Sequence, residues 1–514
     1  MAKVRLNFRC FFVAMLKILM VASEAAPFAK TGGLADVIGS LPAALAAQGV
    51  DVRVVMPRYS SVDLSQRAVV SLGLVRVPFD DGERLAEIQQ AVEPLNTSVG
   101  DVPIYFVEAP HFFRRPLLYG YDDDILRFGF FSRAVLEMLR QTVSLKWRPD
   151  IIHCHDWHAA LLPVYLRTVL QNDESLKTIK TVFSIHNLAY QGLAPKENLP
   201  RLGLDWSLFN HHQLEFHGQV NPLKAGLVFA DALTTVSPRY AREIQTPEYG
   251  EGLDSVLRAR DAALTGIING IDPSAWHPLT DSYINHNYGA LDWNNKARCK
   301  TDLLQKIGLQ QEKNVPVIGM VSRLSSQKGF DLVADIMEPM LEMGCQFVLL
   351  GNGDERYLHC FNELGRRFPA ASSMNLGKFN EELAHHIYAG SDLFLMPSLY
   401  EPCGLSQMIA LAYGTVPIVR ATGGLADSVS EWNPQTQAGN GFVFEEFSSA
   451  QLLSAVTRAL KIYRSRAWPN LVKNAFAGDF SWDASAAHYK ELYENLARDK
   501  RISDAKIPVA APAA

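Results

Sequence analysis

The hexapeptide TGGLAD occurs twice, at 31–36 within KTGGLADVIGSLP and at 422–427 within ATGGLADSVSEW. Each copy stands between a short apolar run and a segment of helical character: KILMVAS comes before the first, GTVPIVR before the second. Strand, Gly-rich turn and helix in that order form the unit of open parallel sheets. The turn aims backbone N–H groups and the positive helix end at an anion beyond the strand. Two copies near opposite ends of one chain therefore predict two such sheets. A chain of 514 residues is also too long for a single core.

The remaining runs fit that plan. DVRVVMP, DIIHCHD, TVFSIHN and ADALTTVS in the first half, and PVIGMVS, CQFVLLGNG and SDLFLMPS in the second, lack strict alternation. They read as strands covered on both faces by helices. LADVIGSLPAALAAQG reads as a helix stopped at Gly49, with a kink expected at Pro42. The predicted fold class is α/β, with two doubly wound domains and a boundary near IINGIDPSAW, 267–276. DFSWDASAAHYKELYENL reads as a final amphipathic helix, and KIPVAAPAA as a disordered tail.

Composition removes several classes of function. Hydrophobic residues make up 48% and charged residues 20%, as in soluble globular proteins. A net charge of −5 gives no footprint for nucleic acid or an anionic membrane, so a small anion must be held by local basic residues. Six scattered cysteines without CxxC spacing favour reduced thiols and a cytoplasmic location. MAKVRLNFRCFFVAML has no cleavage site before the first strand and reads as an extension, with Met15 an alternative start. No apolar run reaches the roughly 18–20 residues of a membrane span. GNGDER keeps only the first two glycines of GxGxxG, and no Walker A sequence is present, which disfavours dinucleotide oxidoreductases and P-loop kinases. Asp122-Asp123-Asp124 reads as a solvated acidic loop rather than a metal site.

Candidate chemistry gathers at predicted strand ends. Gly32 and Gly33, like Gly423 and Gly424, would let a phosphate approach the backbone, with Lys30 beside the first pair. Asp36 and Asp427 are expected in the first turns that follow. The alternative is that both copies are only tight helix starts. VSRLSSQKG supplies Arg323 and Lys328, a donor fork and a mobile charge suited to a leaving diphosphate. In SLYEPCGLSQMIAL, Glu401 stands where a carboxylate can hold sugar hydroxyls or face positive charge at an anomeric carbon; Cys403 reads as a small packing residue. HCHDWH suggests zinc, but alternation puts His153 and His155 on one face with Cys154 opposed, and no second cluster has ligand spacing. Asp156 and Trp157 are the better cleft residues there, with His186 and Asn187 of SIHNLAYQG alongside.

Taken together and in order, KTGGLADV, HDWHAAL, HNLAYQG, SRLSSQKG, EPCGLSQ and TGGLADSV closely resemble the glycogen and starch synthase family of retaining glycosyltransferases, over about residues 17–497. The resemblance implies a GT-B fold, two Rossmann-like domains facing a deep cleft. It places an N-terminal acceptor-side domain at 17–270, a nucleotide-sugar domain at 271–480, a returning helix at 481–497, and flanking segments 1–16 and 498–514. It implies transfer of glucose from ADP-glucose to the non-reducing end of an α-1,4-glucan, metal-independent and without a cofactor. Arg323 and Lys328 are similar to the family's leaving-group pair and Glu401 to its essential carboxylate. His186 resembles the residue whose carbonyl faces the reacting sugar and whose ring holds the 6-hydroxyl. Asp156, Asn187 and, more loosely, Tyr119 resemble sugar-side contacts, while Lys30, Gly32 and Gly33 resemble diphosphate or acceptor-side contacts. Phe379 stands where the family stacks adenine; Cys403, Gly404, Leu405, Thr422, Gly423 and Gly424 would complete the cradle with their amides. Two features depart from the pattern: Ile409 stands where many related retaining enzymes carry a second Glu, and the basic extension 1–16 falls outside the resemblance. Ala35 is closer to the bacterial form than to the plastid form, which commonly has Gly there.

Overall fold

The computed structural model describes residues 15–65, 68–91, 95–97, 100–142 and 144–498. Of the expected extension 1–16, residues 1–14 lie outside the described residues, and so does the expected disordered tail 498–514 from residue 499 on.

The first sheet is built from β1 (Lys17–Val21), β2 (Asp51–Pro57), β3 (Val69–Phe79), β4 (Gly82–Ala91), β5 (Ile104–Glu108), β6 (Ile151–His155), β7 (Lys180–Ile185), β8 (Ala232–Thr235) and β9 (Leu264–Gly266). Its order is β9-β8-β7-β6-β1-β2-β5-β4-β3. The strands from β9 to β5 run parallel, whereas β4 and β3 form an antiparallel hairpin at one edge. The central strands are buried on both faces, as their unbroken apolar runs demand.

The second sheet contains β10 (Val317–Val321), β11 (Gln346–Gly351), β12 (Ser372–Leu376), β13 (Leu393–Met396), β14 (Val416–Arg420) and β15 (Phe442–Phe444), all parallel, in the order β12-β11-β10-β13-β14-β15. Counted within this lobe, that is the doubly wound order 3-2-1-4-5-6, reversing between β10 and β13. In the first sheet the corresponding reversal lies between β1 and β6. Ligands bind such sheets outside the carboxyl ends of the strands at the reversal.

Six helices matter for the site: α1 (Gly33–Ala47), α2 (Asp124–Gln141), α3 (Pro238–Glu243), α4 (Ser406–Ala412), α5 (Gly423–Ser428) and α6 (Trp482–Arg498). Gly49 follows α1 in the left-handed conformation that a helix stop requires, while Pro42 lies inside one uninterrupted helix. The chain passes between the lobes twice, and the two passages touch: Ile271 N–H donates to Phe480 O, and Ser485 Oγ to Ile268 O. After the second passage, α6 lies against α1 of the first lobe. Lys490 Nζ donates to Gln48 O, and Tyr493 OH pairs with His153.

Candidate active site

At the reversal of the second sheet, the loop after β10 carries Arg323 and Lys328, and the loop after β13 carries Ser398 and Glu401. Arg323, Lys328, Ser398 and Ser406 line one cavity there, floored by Met320, Val321, Leu395 and Met396. Lys328 Nζ donates to Glu401 Oε2 at 2.5 Å, and Ser398 Oγ donates to the same oxygen at 3.0 Å. Glu401 is only 6% exposed, so its charge is held by these partners rather than by water.

At the reversal of the first sheet, Asp156 directly follows β6 in a left-handed conformation (φ 56°). Its Oδ1 accepts the backbone N–H of His186 at 2.8 Å. Burial pushes the Asp156 carboxyl up to about 7, opposed by the backbone N–H groups of His186 and Asn187 and raised further by the charge of Glu24. His186 and Asn187 follow β7, and the His186 ring bonds His155 through Nε2. Burial holds His186 down at about 4, so its ring is neutral. The Asn187 side chain also lies beside Tyr400 of the second lobe, where it opposes the upward shift that burial gives the phenol, so the two strand-end loops approach each other.

The two TGGLAD copies are not equivalent. In the first, the buried Glu24 carboxylate accepts Thr31 N–H at 2.5 Å, Thr31 Oγ1 at 2.7 Å and Gly32 N–H at 3.2 Å. Tyr119 OH donates to the same carboxylate at 2.7 Å, and its ring stacks on His158. A Cβ at Gly32 or Gly33 would meet nothing within 4 Å among the described residues, so the turn is open there. Lys30, on that exposed turn, pairs with Asp36 in the first turn of α1 at 2.6 Å.

In the second copy the space is already filled by protein. A Cβ on Gly423 (φ 45°) would lie 1.9 Å from Glu401 O, and one on Gly424 would lie 2.0 Å from Cys403 O. The Gly424 N–H donates to Glu401 O, and the Gly423 N–H to the Glu243 carboxylate, which also accepts from Thr422 Oγ1. These glycines admit the 401–403 backbone, and both their N–H groups have protein partners. Asp427 is not in the first turn of α5, since that short helix has no acid there. Its Oδ2 instead accepts the Arg239 N–H of α3, in the other lobe.

The remaining candidates are placed more simply. Cys403 is buried, which pushes its thiol up to about 12, against a smaller opposing effect of the Asn269 backbone. Gly404 is left-handed (φ 72°), with Leu405 capping α4. Phe379 follows β12 in the chain and is 56% exposed. Trp157 packs over Gly192, whose added Cβ would lie 2.3 Å from the indole. Asp123 and Asp124 pair with Arg115 and Arg127. Glu24, Glu243, Ser398 and Tyr400 were not singled out from sequence. Their signal was position alone, since Glu24, Ser398 and Tyr400 each stand within four residues of a predicted strand end.

Two doubly wound lobes whose strand-end loops face each other, one presenting Arg323, Lys328 and Glu401, define a GT-B glycosyltransferase architecture. The comparisons narrow that class. Residues 17–259 match the starch synthase catalytic domain, and 303–475 match glycosyl transferases group 1. A glycogen synthase from Desulforudis audaxviator (strain MP104C) is 47% identical over 93% of this chain and 96% of its own. Another from Koribacter versatilis (strain Ellin345) is 46% identical over 93% and 98%. The catalytic domain of starch synthase IV from Arabidopsis thaliana, solved bound to ADP and acarbose, superposes with a TM-score of 0.86 at 36% identity, covering 95% of this chain and all of that one. A sucrose-phosphate synthase from Thermosynechococcus elongatus shares the fold alone, at a TM-score of 0.57 and 17% identity. The chain belongs to the glycogen and starch synthase family of glycosyltransferases.

Proposed function

We propose that the protein transfers glucose from ADP-glucose to the non-reducing end of an α-1,4-glucan such as glycogen, with retention of configuration and in the cytoplasm. The observation that carries this reading is the Lys328–Glu401 pair beside Arg323 at the reversal of the second sheet. It is supported by a 36% identical starch synthase solved with ADP and acarbose.

In the proposed reaction, the bond between the anomeric carbon and the β-phosphate oxygen breaks, and its electron pair leaves with ADP. Arg323 and Lys328 face the charge that develops on that oxygen, which stabilises the transition state more than the ground state. Glu401 holds Lys328 in place and orients donor-sugar hydroxyls. The acceptor 4-hydroxyl attacks from the face the phosphate leaves, and its proton passes to a phosphate oxygen. Asp156, His186 and Asn187 bind the sugars from the first lobe, with Tyr119 and Glu24 shaping the turn that carries Lys30, Gly32 and Gly33. Phe379 stacks on the adenine, and the turn at Cys403, Gly404 and Leu405, with Thr422 behind it, closes the donor side.

Purified protein is incubated with glycogen and either ADP-glucose or UDP-glucose, with released nucleotide measured and the new linkage read by proton NMR. ADP release with new α-1,4 linkages is expected. Turnover with UDP-glucose alone reassigns the donor, and no glucose incorporation with either rejects the reading.

A further inference from the structure

Beneath the carboxyl end of the first sheet lies a column of three imidazoles, of which His153 and His155 are fully buried and His186, at the top, is partly exposed. His153 and His155 share one face of β6 with ring centroids 4.0 Å apart, and the His155 ring lies 5.3 Å from that of His186. The lower end is anchored on both nitrogens: His153 Nδ1 to Tyr493 OH at 2.7 Å, and Nε2 to Ser184 Oγ at 2.6 Å. At the upper end, His155 Nδ1 and His186 Nε2 are 3.0 Å apart. His155 Nε2 is buried and has no hydrogen-bond partner among the described residues.

Counting protons decides how the upper pair is arranged. Burial keeps all three rings neutral, with His153 at about 3, His186 at about 4, and His155 well below its ordinary value. Each ring therefore carries one proton, on one of its two nitrogens. A proton on Nε2 of His155 would be a buried N–H donor with no acceptor, a rarer and costlier arrangement than a bare lone pair. The proton belongs on Nδ1, from which it is donated to Nε2 of His186. The proton of His186 must then sit on its own Nδ1, which no protein group engages among the described residues.

We infer that His155 is a positioning residue that fixes His186 as the Nδ1–H tautomer, so that His186 offers a donor, not an acceptor, to a sugar hydroxyl. Only the last clause rests on the proposed transferase function; the tautomer stands on the hydrogen-bond network.

The test uses the full chain labelled with 15N-histidine, His186 being assigned by difference from a His186→Gln variant. The expected spectrum shows His186 protonated at Nδ1 and bare at Nε2. His155→Leu should abolish that signature and lower kcat about tenfold or more, while His155→Asn, which keeps an amide donor near the Nδ1 position, should hold kcat within about threefold. A His186 ring protonated at Nε2 overturns the inference, and so does a folded His155→Leu variant with unchanged kcat. The spectrum needs no substrate. A chain that transferred no glucose would defeat the proposed function while the tautomer was still decided by NMR.

Discussion

Lys328 and Glu401 illustrate how one pair serves both chemistry and folding. The carboxylate is 6% exposed and relies on Lys328 and Ser398, so truncating the lysine leaves a buried charge without its partner. Lys328→Ala is expected to lower kcat by about 10²–10³, the usual cost of losing one preorganised donor. It should also lower the melting temperature, whereas Arg323→Ala, on the same cavity and without an ion pair of its own among the described residues, should lower kcat alone. Unchanged turnover in both variants would remove the leaving-group assignment. Asp156 makes a different kind of prediction. Its folded carboxyl sits at about 7 because burial outweighs the two backbone donors, so between about 4 and 7 the folded state holds a proton that the unfolded chain releases. The stability tied to that proton is complete below about 4 and is lost as pH rises through 7. Urea midpoints at pH 5 and pH 8 should show the wild type losing ground relative to Asp156→Asn. A difference independent of pH would contradict the assignment.

The two TGGLAD turns show how far local sequence fixes an element and where it stops. Both copies begin a helix after a parallel strand, and the apolar runs quoted for the sheet centres are strands, because burial on both faces leaves an unbroken signature. The β3–β4 hairpin had no such signature. It lies at an edge, exposes most of the residues from Val69 to Leu74, and mixes polar with apolar side chains. What fills the space before a Gly-rich turn is equally hidden from sequence, since Glu243 and the 401–403 backbone come from distant segments. Identical glycines should therefore respond in opposite ways. Gly423→Ala forces a Cβ to 1.9 Å from Glu401 O at a left-handed φ and should cost about 3 kcal/mol or more, lowering the melting temperature by about 3 °C or more. Gly32→Ala meets open space at an extended φ of −151° and should leave the melting temperature unchanged. Scanning calorimetry of the pair checks this, and equal losses would mean the copies are equivalent after all.

Between the lobes, α3 and α5 exchange carboxylates. Glu243, at the end of α3, accepts the Gly423 N–H that opens α5, and Asp427, within α5, accepts the Arg239 N–H in the first turn of α3. Each lobe thus places a negative charge on the positive end of the other lobe's helix, where it is favoured electrostatically. The lobes are also joined by Arg420 Nη2 to Tyr249 OH, by Asn187 beside Tyr400, and by the adjoining chain passages at 268–271 and 480–485, where a hinge between them would lie. The exchange is therefore a clasp across a hinge, and its strength sets how much of the free protein is closed. Replacing both acids by amides (Glu243→Gln with Asp427→Asn) keeps the shapes and removes the charge assistance, at a cost of about 1–3 kcal/mol in all. A loss of that size shifts a two-state lobe equilibrium by about 5- to 150-fold. Small-angle scattering of the ligand-free double variant should show a larger radius of gyration than the wild type, with the difference shrinking when ADP and a maltooligosaccharide are added. Superimposable ligand-free curves would show that the clasp does not govern closure.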